Sequence, residues 1–257
     1  MDILSRINGL LGERTIKEIR REGSVLRVVE RGKHPNQIRS LMYNNTVFSS
    51  IGESGIYTHS YWDHFIPLPA LFDSPKVLVL GLGGGTIPYQ IESLYPKADV
   101  SVVEFDKDMI NISRAFLKKK LKARIINEDA SSFLNRRSEK YHIVISDLYI
   151  DDFTPDQFLS RKFLSDARSS LLESGVFAAN FATSARMAGK LSSFISEIEA
   201  EFGSCARIVP LRVPGNSILI APKSGDAERI VAESEKKILG NREMDEVAIA
   251  YSRATYV

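Results

Sequence analysis

A glycine-rich loop directly follows the apolar run 77–80, which is typical of a buried parallel strand. Its glycines are Gly81, Gly83, Gly84 and Gly85. Glycines at a strand-to-helix turn leave backbone N–H groups open to a ligand above the helix N-terminus. Glu104 ends the next predicted strand, and a carboxylate there can accept hydrogen bonds from two ribose hydroxyls. The combination predicts a nucleoside site, and the alternative is a tight turn that holds no ligand.

The spacing of the glycines separates classes of nucleotide. A dinucleotide fingerprint has glycine at its first, third and sixth positions. This loop has glycine at the first, third and fifth positions and Thr86 at the sixth. The loop is therefore less suited to a pyrophosphate than to an adenosine that carries a sulfonium. A nicotinamide-dependent dehydrogenase is an alternative that Thr86 disfavours.

Four acidic residues stand at three successive predicted strand ends, where ligands of doubly wound sheets bind. Besides Glu104 they are Asp106, Asp129 and Asp147. Asp129 can accept a hydrogen bond from an exocyclic amine such as adenine N6, and Asp147 can face a ligand ammonium. Each Asp can instead cap the helix that follows, and capping is the favoured interpretation for Asp106. Acids in register at successive strand ends nevertheless indicate a binding site.

The composition excludes several classes of protein. The 257 residues are 44% hydrophobic and 26% charged, with a net charge of +2, which is ordinary for a soluble globular protein. Such a charge gives no reason to expect nucleic acid or a membrane as a partner. The single cysteine, Cys205, excludes an intramolecular disulfide and a cysteine-based zinc site. Without a long apolar stretch or a signal-peptide pattern, the expected location is the cytoplasm.

From residue 76 the chain alternates predicted strands and helices, which is typical of an α/β fold with a parallel sheet covered on both faces. The predicted strands are 76–81, 100–104, 123–127, 142–147, 175–181, 206–213 and 216–221. The predicted helices are 85–95, 107–120, 130–137, 156–172, 186–201 and 225–240. Too little chain separates the last two strands for a helix, so they are expected to form an antiparallel hairpin at the sheet edge.

The N-terminal part has a different pattern. Apolar and charged residues at roughly helical spacing predict a short amphipathic helix over 1–22, and residues 24–50 predict a small antiparallel sheet. We therefore expect an N-terminal domain at 1–55 and a nucleoside-binding domain at 56–257. The aromatic segment 56–72 is interpreted as packing between them in preference to a pocket wall.

Four segments resemble successive motifs of the spermidine synthase (polyamine aminopropyltransferase) family. They are Gly-Leu-Gly-Gly-Gly-Thr at 81–86, Val-Val-Glu-Phe-Asp at 102–106, Asn-Glu-Asp-Ala at 127–130 and Tyr-His-Ile-Val-Ile-Ser-Asp at 141–147. Upstream, residues 41–50 and 60–63 resemble the family's N-terminal sheet and its Tyr-His-Glu segment. The resemblance covers roughly residues 24–222. It implies the Rossmann-like fold that this family shares with S-adenosylmethionine-dependent methyltransferases, here as a seven-stranded sheet.

The resemblance also implies a reaction, in which an aminopropyl group passes from decarboxylated S-adenosylmethionine to a polyamine such as putrescine, releasing 5′-methylthioadenosine. No metal is implied, and a homodimer or homotetramer is expected. The implied cofactor-binding residues are Gly81, Gly83, Gly84, Gly85, Glu104, Phe105, Asp129, Ala130 and Asp147. The implied catalytic residues are Asp147 and Asp151, and the implied residues for the amine are Tyr61, Asp63 and Tyr149.

Departures from the family's motifs leave two alternatives open. The family's glycine loop carries an Asp that this chain lacks, which leaves room for a carboxylate and favours a methyltransferase using intact S-adenosylmethionine. In the family, a second Asp, after the one that corresponds to Asp147, removes the proton. Ile150 occupies the place of that second Asp in this chain, unless one extra loop residue brings Asp151 into it. Phe48 and Trp62 replace the Gln and His of the amine site. A non-catalytic nucleoside- or polyamine-binding protein is therefore the second alternative.

Overall fold

The computed structural model has two β-sheets, with the aromatic segment 56–72 between them in the chain. It describes residues 13–34, 36–52, 55–117, 119–136, 139–150, 153–184, 187, 189–213 and 215–257. The predicted combination of a mostly parallel α/β sheet with a small N-terminal antiparallel sheet is confirmed. None of the helices in these ranges is long and apolar enough to cross a membrane.

The N-terminal sheet contains four antiparallel strands in sequence order. They are β1 (Arg14–Arg21), β2 (Ser24–Arg31), β3 (Ile38–Tyr43) and β4 (Thr46–Gly52). The predicted N-terminal helix is wrong over 14–21, which form β1, while residues 1–12 lie outside the described ranges. A β-bulge between Thr15 and Lys17 lets Ile16 and Ile19, three positions apart, pack against the same apolar cluster. A bulged strand thereby produces a spacing that resembles a helix.

The second sheet has eight strands in the order β12-β10-β11-β9-β8-β5-β6-β7. They are β5 (Lys76–Leu80), β6 (Asp99–Glu104), β7 (Arg124–Asn127), β8 (Tyr141–Ser146), β9 (Leu171–Ala182), β10 (Ala206–Ile208), β11 (Asn216–Pro222) and β12 (Thr255–Tyr256). Strands β5 to β9 pair in parallel, and β10 to β12 pair antiparallel. The two-residue strand β12 adds an eighth strand to the seven predicted, and β10 is shorter than the predicted 206–213.

Seven α-helices in the described ranges surround this sheet. They are α1 (Thr86–Leu94), α2 (Lys107–Phe116), α3 (Ala130–Arg136), α4 (Arg161–Ser169), α5 (Lys190–Phe202), α6 (Ala227–Ile238) and α7 (Asp245–Ser252). Helices α1, α6 and α7 contribute to the apolar cluster on one face, and α3, α4 and α5 to the cluster on the other. The predicted helix 156–172 divides at Ser160, whose hydroxyl accepts from the N–H of Phe163 and caps α4. Helix α7 was not predicted.

The N-terminal sheet packs against helix α2. The apolar residues of the helix share a cluster with Leu26, Val28 and Leu41 of that sheet. Arg21 of β1 pairs with Asp106 at the start of the helix, N–O distance 2.6 Å. Arg39 of β3 donates to the carbonyl groups of Ala115 and Phe116 at its end. The N-terminal sheet is thus attached to both ends of the helix that follows β6.

Candidate active site

A cleft of about 780 Å³ lies between the N-terminal sheet and the carboxyl ends of the parallel strands. The chain runs outward from β5 to β7 and then returns to β8 on the other side of β5. The cleft therefore lies at the topological switch point, where ligands of doubly wound sheets bind. Val47, Phe48 and Ser49 of β4 form the opposite wall.

The glycine loop divides into a part that lines the cleft and a part that packs away from it. Gly81 and Gly83 line the cleft, whereas the lining does not include Gly84 or Gly85. Gly81 has φ +95°, and a Cβ there would collide with the backbone oxygen of Asp147. A Cβ at Gly84 would lie 2.6 Å from the Cβ of Ser49. Gly84 and Gly85, predicted as ligand contacts, thus have packing roles beside the cleft.

Glu104 is buried at the end of β6, with its carboxylate oriented by the backbone. One oxygen accepts from the N–H of Leu82 at 3.0 Å, and the other accepts from the N–H of Asp106 at 2.9 Å. Burial raises the pKa of Glu104, and these backbone N–H groups partly oppose the rise. Each oxygen keeps a lone pair for a further donor, so the carboxylate can accept from two neighbouring hydroxyls.

The residues predicted around the base lie together in the cleft. Phe105 is 62% exposed there, an unusual position for a large apolar ring. Asp129 and Ala130 line the same end. Asp129 accepts a hydrogen bond from the N–H of Ser132 at 2.9 Å, so the capping role considered for it is present. The interpretation of Asp106 as a cap is confirmed, since its side chain accepts from the first turn of α2.

Asp147 lies at the end of β8, at the centre of a hydrogen-bond network. Its carboxylate accepts from the side-chain amide of Asn180 at 3.0 Å and from the hydroxyl of Tyr61 at 3.3 Å. Burial raises the pKa of Asp147 to about 6, although both hydrogen bonds oppose the rise. The hydroxyl of Tyr149 donates to the carbonyl of Asn180 and accepts from the N–H of Ala182. A carboxyl group with this pKa can exchange a proton near neutral pH.

Two asparagines of the network were missed from the sequence. Asn180 lies near the end of β9, and Asn216 begins β11 and donates to the Asn180 side-chain oxygen at 2.9 Å. Both line the cleft. A polar residue at the end of the fifth parallel strand was a signal for Asn180. Asn216 had none, because only the antiparallel pairing of β9 and β11 brings it to this edge.

Asp63 is not brought into the cleft. Its carboxylate accepts from the N–H groups of Thr58 and His59 and from the amide of Gln90, within the loop and the helix beside it. Its neighbours Tyr61 and Trp62 do line the cleft. The segment 56–72 is therefore partly packing and partly pocket wall. Asp151 lies outside the described ranges, and the ranges that are described hold no cluster of three metal-ligating side chains.

The fold belongs to the class of Rossmann-like sheets shared by spermidine synthases and methyltransferases. The family model of the spermine/spermidine synthase domain matches residues 58–221, and the chain belongs to this family. It is 25% identical over 209 residues to a probable polyamine aminopropyl transferase of Bifidobacterium longum, covering 78% of this chain and 47% of the relative. It is 27% identical over 143 residues to a polyamine aminopropyltransferase of Vibrio vulnificus, covering 52% and 48%.

The chain thus spans about half the length of these curated relatives. A crystal structure of a probable spermidine synthase from Corynebacterium glutamicum has the same fold. Its TM-score is 0.71 at 19% identity, and the match covers 95% of this chain and 89% of that one.

Proposed function

We propose that the protein transfers an aminopropyl group from decarboxylated S-adenosylmethionine to an amine such as putrescine and releases 5′-methylthioadenosine. The observation that carries this proposal is the position of Asp147. This carboxyl group lies at the switch point, opposite the wall that Phe48 and Ser49 form, and has a pKa near 6. Membership of the spermine/spermidine synthase family supports the same reaction.

The reaction needs alignment and a proton acceptor. The amine nitrogen attacks the carbon beside the sulfonium, the carbon–sulfur bond breaks, and the sulfur keeps the electron pair as a neutral thioether. Only a neutral amine has the lone pair for this attack, so the substrate ammonium first loses one proton, which Asp147 accepts, and the secondary amine that forms stays protonated. Because the sulfonium is already a good leaving group, most of the catalysis comes from alignment. Glu104 would hold the ribose hydroxyls, and Phe105 would cover a face of the adenine.

A methyltransferase that uses intact S-adenosylmethionine is the second candidate. Thr86 favours it, because this residue lines the cleft and its buried hydroxyl, at the first turn of α1, has no hydrogen-bond partner among the residues that the structure describes. A hydroxyl at a helix N-terminus can donate to a carboxylate, and only the intact nucleoside carries one. Calorimetric titration with both nucleosides distinguishes the candidates. Aminopropyl transfer predicts tighter binding of the decarboxylated form, and methyl transfer predicts binding of the intact form at least as tight.

The activity test is an incubation of the purified protein with decarboxylated S-adenosylmethionine and a panel of diamines and triamines. Chromatography follows 5′-methylthioadenosine. We expect release that depends on an amine and falls by a factor of about a hundred or more in Asp147→Asn, as for loss of a general base. Asp156→Asn, an exposed acid paired with Lys190, is the matched control and should keep full activity. Release at background level with every amine would contradict the proposal.

A further inference from the structure

Three polar side chains form a continuous chain from β11 to the proton acceptor. Asn216 donates to the side-chain oxygen of Asn180 at 2.9 Å, and the amide nitrogen of Asn180 donates to Asp147 at 3.0 Å. Asn180 itself is buried. Asn216 lies directly opposite Ala182 in the β9–β11 pairing, two residues beyond Asn180. The chain therefore depends on the strand register and not on a flexible loop.

The direction of this chain has an electrostatic consequence. An asparagine amide presents a donor at one end and an acceptor at the other, while an ionised carboxylate only accepts. Because Asn216 occupies the acceptor end of Asn180 with a donor, the donor end of Asn180 must face Asp147. If the Asn180 amide turned over, its oxygen would face the carboxylate and favour the protonated acid.

Few other groups stabilise the ionised form of Asp147 against the cost of its burial. Tyr61 faces the carboxylate from the short 3-10 helix Tyr61–Phe65 and donates to it. Tyr149, on the loop after β8, faces it without a hydrogen bond, and its own pKa is raised by burial and by Asp147. In the part of the chain that the structure describes, no cation forms an ion pair with Asp147. The amide of Asn180 is thus one of two donors that favour the ionised form.

We infer that Asn216 is a positioning residue, which orients the amide of Asn180 so that Asp147 stays ionised and can accept a proton. The part of this inference that concerns proton transfer rests on the proposed function. The orientation itself is independent of catalysis. Asn216 acts through Asn180 and needs no contact with the substrate.

The direct test measures the pKa of the Asp147 carboxyl group by carbon-13 NMR of protein labelled at aspartate, with Asp147→Asn to assign the signal. In Asn216→Asp a donor becomes an acceptor at nearly constant shape, so the Asn180 amide should turn over. We expect the pKa of Asp147 to rise by about one unit or more, because a hydrogen bond to the charged group is lost and the new carboxylate adds a like charge nearby. Asn216→Ala should give a smaller rise, because the amide is released and not inverted.

Asn241→Ala is the control. It removes an asparagine that donates to Tyr57, and neither residue lines the cleft, so it should leave the pKa of Asp147 unchanged. If the protein is active, the acid limb of the kcat/KM profile should move with the NMR pKa in the Asn216 variants. An unchanged pKa in both folded Asn216 variants would overturn the inference, even if activity fell. A shifted pKa in a protein without turnover would uphold the positioning role and reject the proposed function alone.

Discussion

The hydroxyl of Ser49 accepts a 2.7 Å hydrogen bond from the backbone N–H of Gly84. This bond joins β4 of the N-terminal sheet to the glycine loop of the large sheet. It places Val47 and Phe48, the residues before Ser49, on the wall of the cleft. The small sheet is therefore a part of the site, and disturbing its contact with the loop should disturb ligand binding.

Gly84→Ala should separate these two elements. The added Cβ would lie 2.6 Å from the Cβ of Ser49 and 2.7 Å from the ring of Phe116, so one of them must move. We expect a loss of about 1–3 kcal/mol in the free energy of unfolding, as for an overpacked core, together with weaker nucleoside binding. Gly52→Ala, also on β4, meets no atom within 4 Å and is the control. Equal losses in thermal melts of the two variants would argue against the contact.

Glu104→Gln should weaken nucleoside binding by a factor of about ten or more, because two charge-assisted hydrogen bonds lose their charge. Burial raises the pKa of Glu104, and ribose hydroxyls that donate to the carboxylate would lower it again. Binding should therefore release protons, and affinity should increase as the pH rises through the raised pKa. Calorimetry in buffers of different ionisation enthalpy measures this release. Proton release that persists in Glu104→Gln would assign it to another group.

Asp147→Asn should stabilise the protein while it lowers activity by a factor of about a hundred or more. The folded protein holds the Asp147 proton up to a pKa of about 6, and the ordinary value is 3.8. The folded form thus binds the proton more tightly than the unfolded chain, so stability falls as the pH rises from about 4 through 6. The Asn variant avoids this loss, and the Tyr61 hydroxyl can accept from its amide.

We expect a gain on the order of 3 kcal/mol above pH 6 that disappears below about pH 4. Urea unfolding across this pH range measures it. The exposed variant Asp156→Asn should show no comparable gain. A destabilised Asp147→Asn at pH 7.5 would mean that the carboxylate is structural.

Arg21→Ala should affect both stability and the nucleoside site. Arg21 is partly buried and pairs with Asp106 and Asp108 at the start of α2, and the N–H of Asp106 orients Glu104. We expect a loss of about 1 kcal/mol and a several-fold weaker affinity for the nucleoside, measured by titration. Arg20→Ala, which changes the neighbouring exposed arginine, is the control. An unchanged affinity in Arg21→Ala would show that Glu104 does not depend on this ion pair.

The α/β sheet could be predicted because its signals are local. Apolar runs such as 77–80 are followed by glycine or acidic residues, which mark the strand ends. Parallel pairing then places these ends at one edge of the sheet. For Glu104 and Asp106, which are two residues apart, ligand binding and helix capping could also be weighed from the sequence, because a carboxylate at a strand end has few other functions. Helix α2 begins where the pattern placed it, with its cap at Asp106, but ends at Phe116, before the predicted end at 120.

What could not be predicted depends on contacts that the sequence pattern does not reveal. Strand β1 forms because it pairs with β2, and its bulge gives it an apparently helical spacing. Asp63 stands in a motif-like position, yet its carboxylate binds the turn at Thr58 and the amide of Gln90. Asn216 reaches Asp147 only through the β9–β11 register. The β1–β2 contact is local, within one hairpin, whereas the contacts of Asp63 with Gln90 and of Asn216 with Asn180 join segments far apart in the sequence.

The most direct test of the proposed reaction follows the acceptor itself. The protein is incubated with putrescine and decarboxylated S-adenosylmethionine that carries an isotope label in the aminopropyl group, and the amine is analysed by mass spectrometry. We expect the amine to gain one labelled aminopropyl group for each 5′-methylthioadenosine released. An amine that gains only a methyl group from intact S-adenosylmethionine, or no label under any condition, would contradict the proposed reaction.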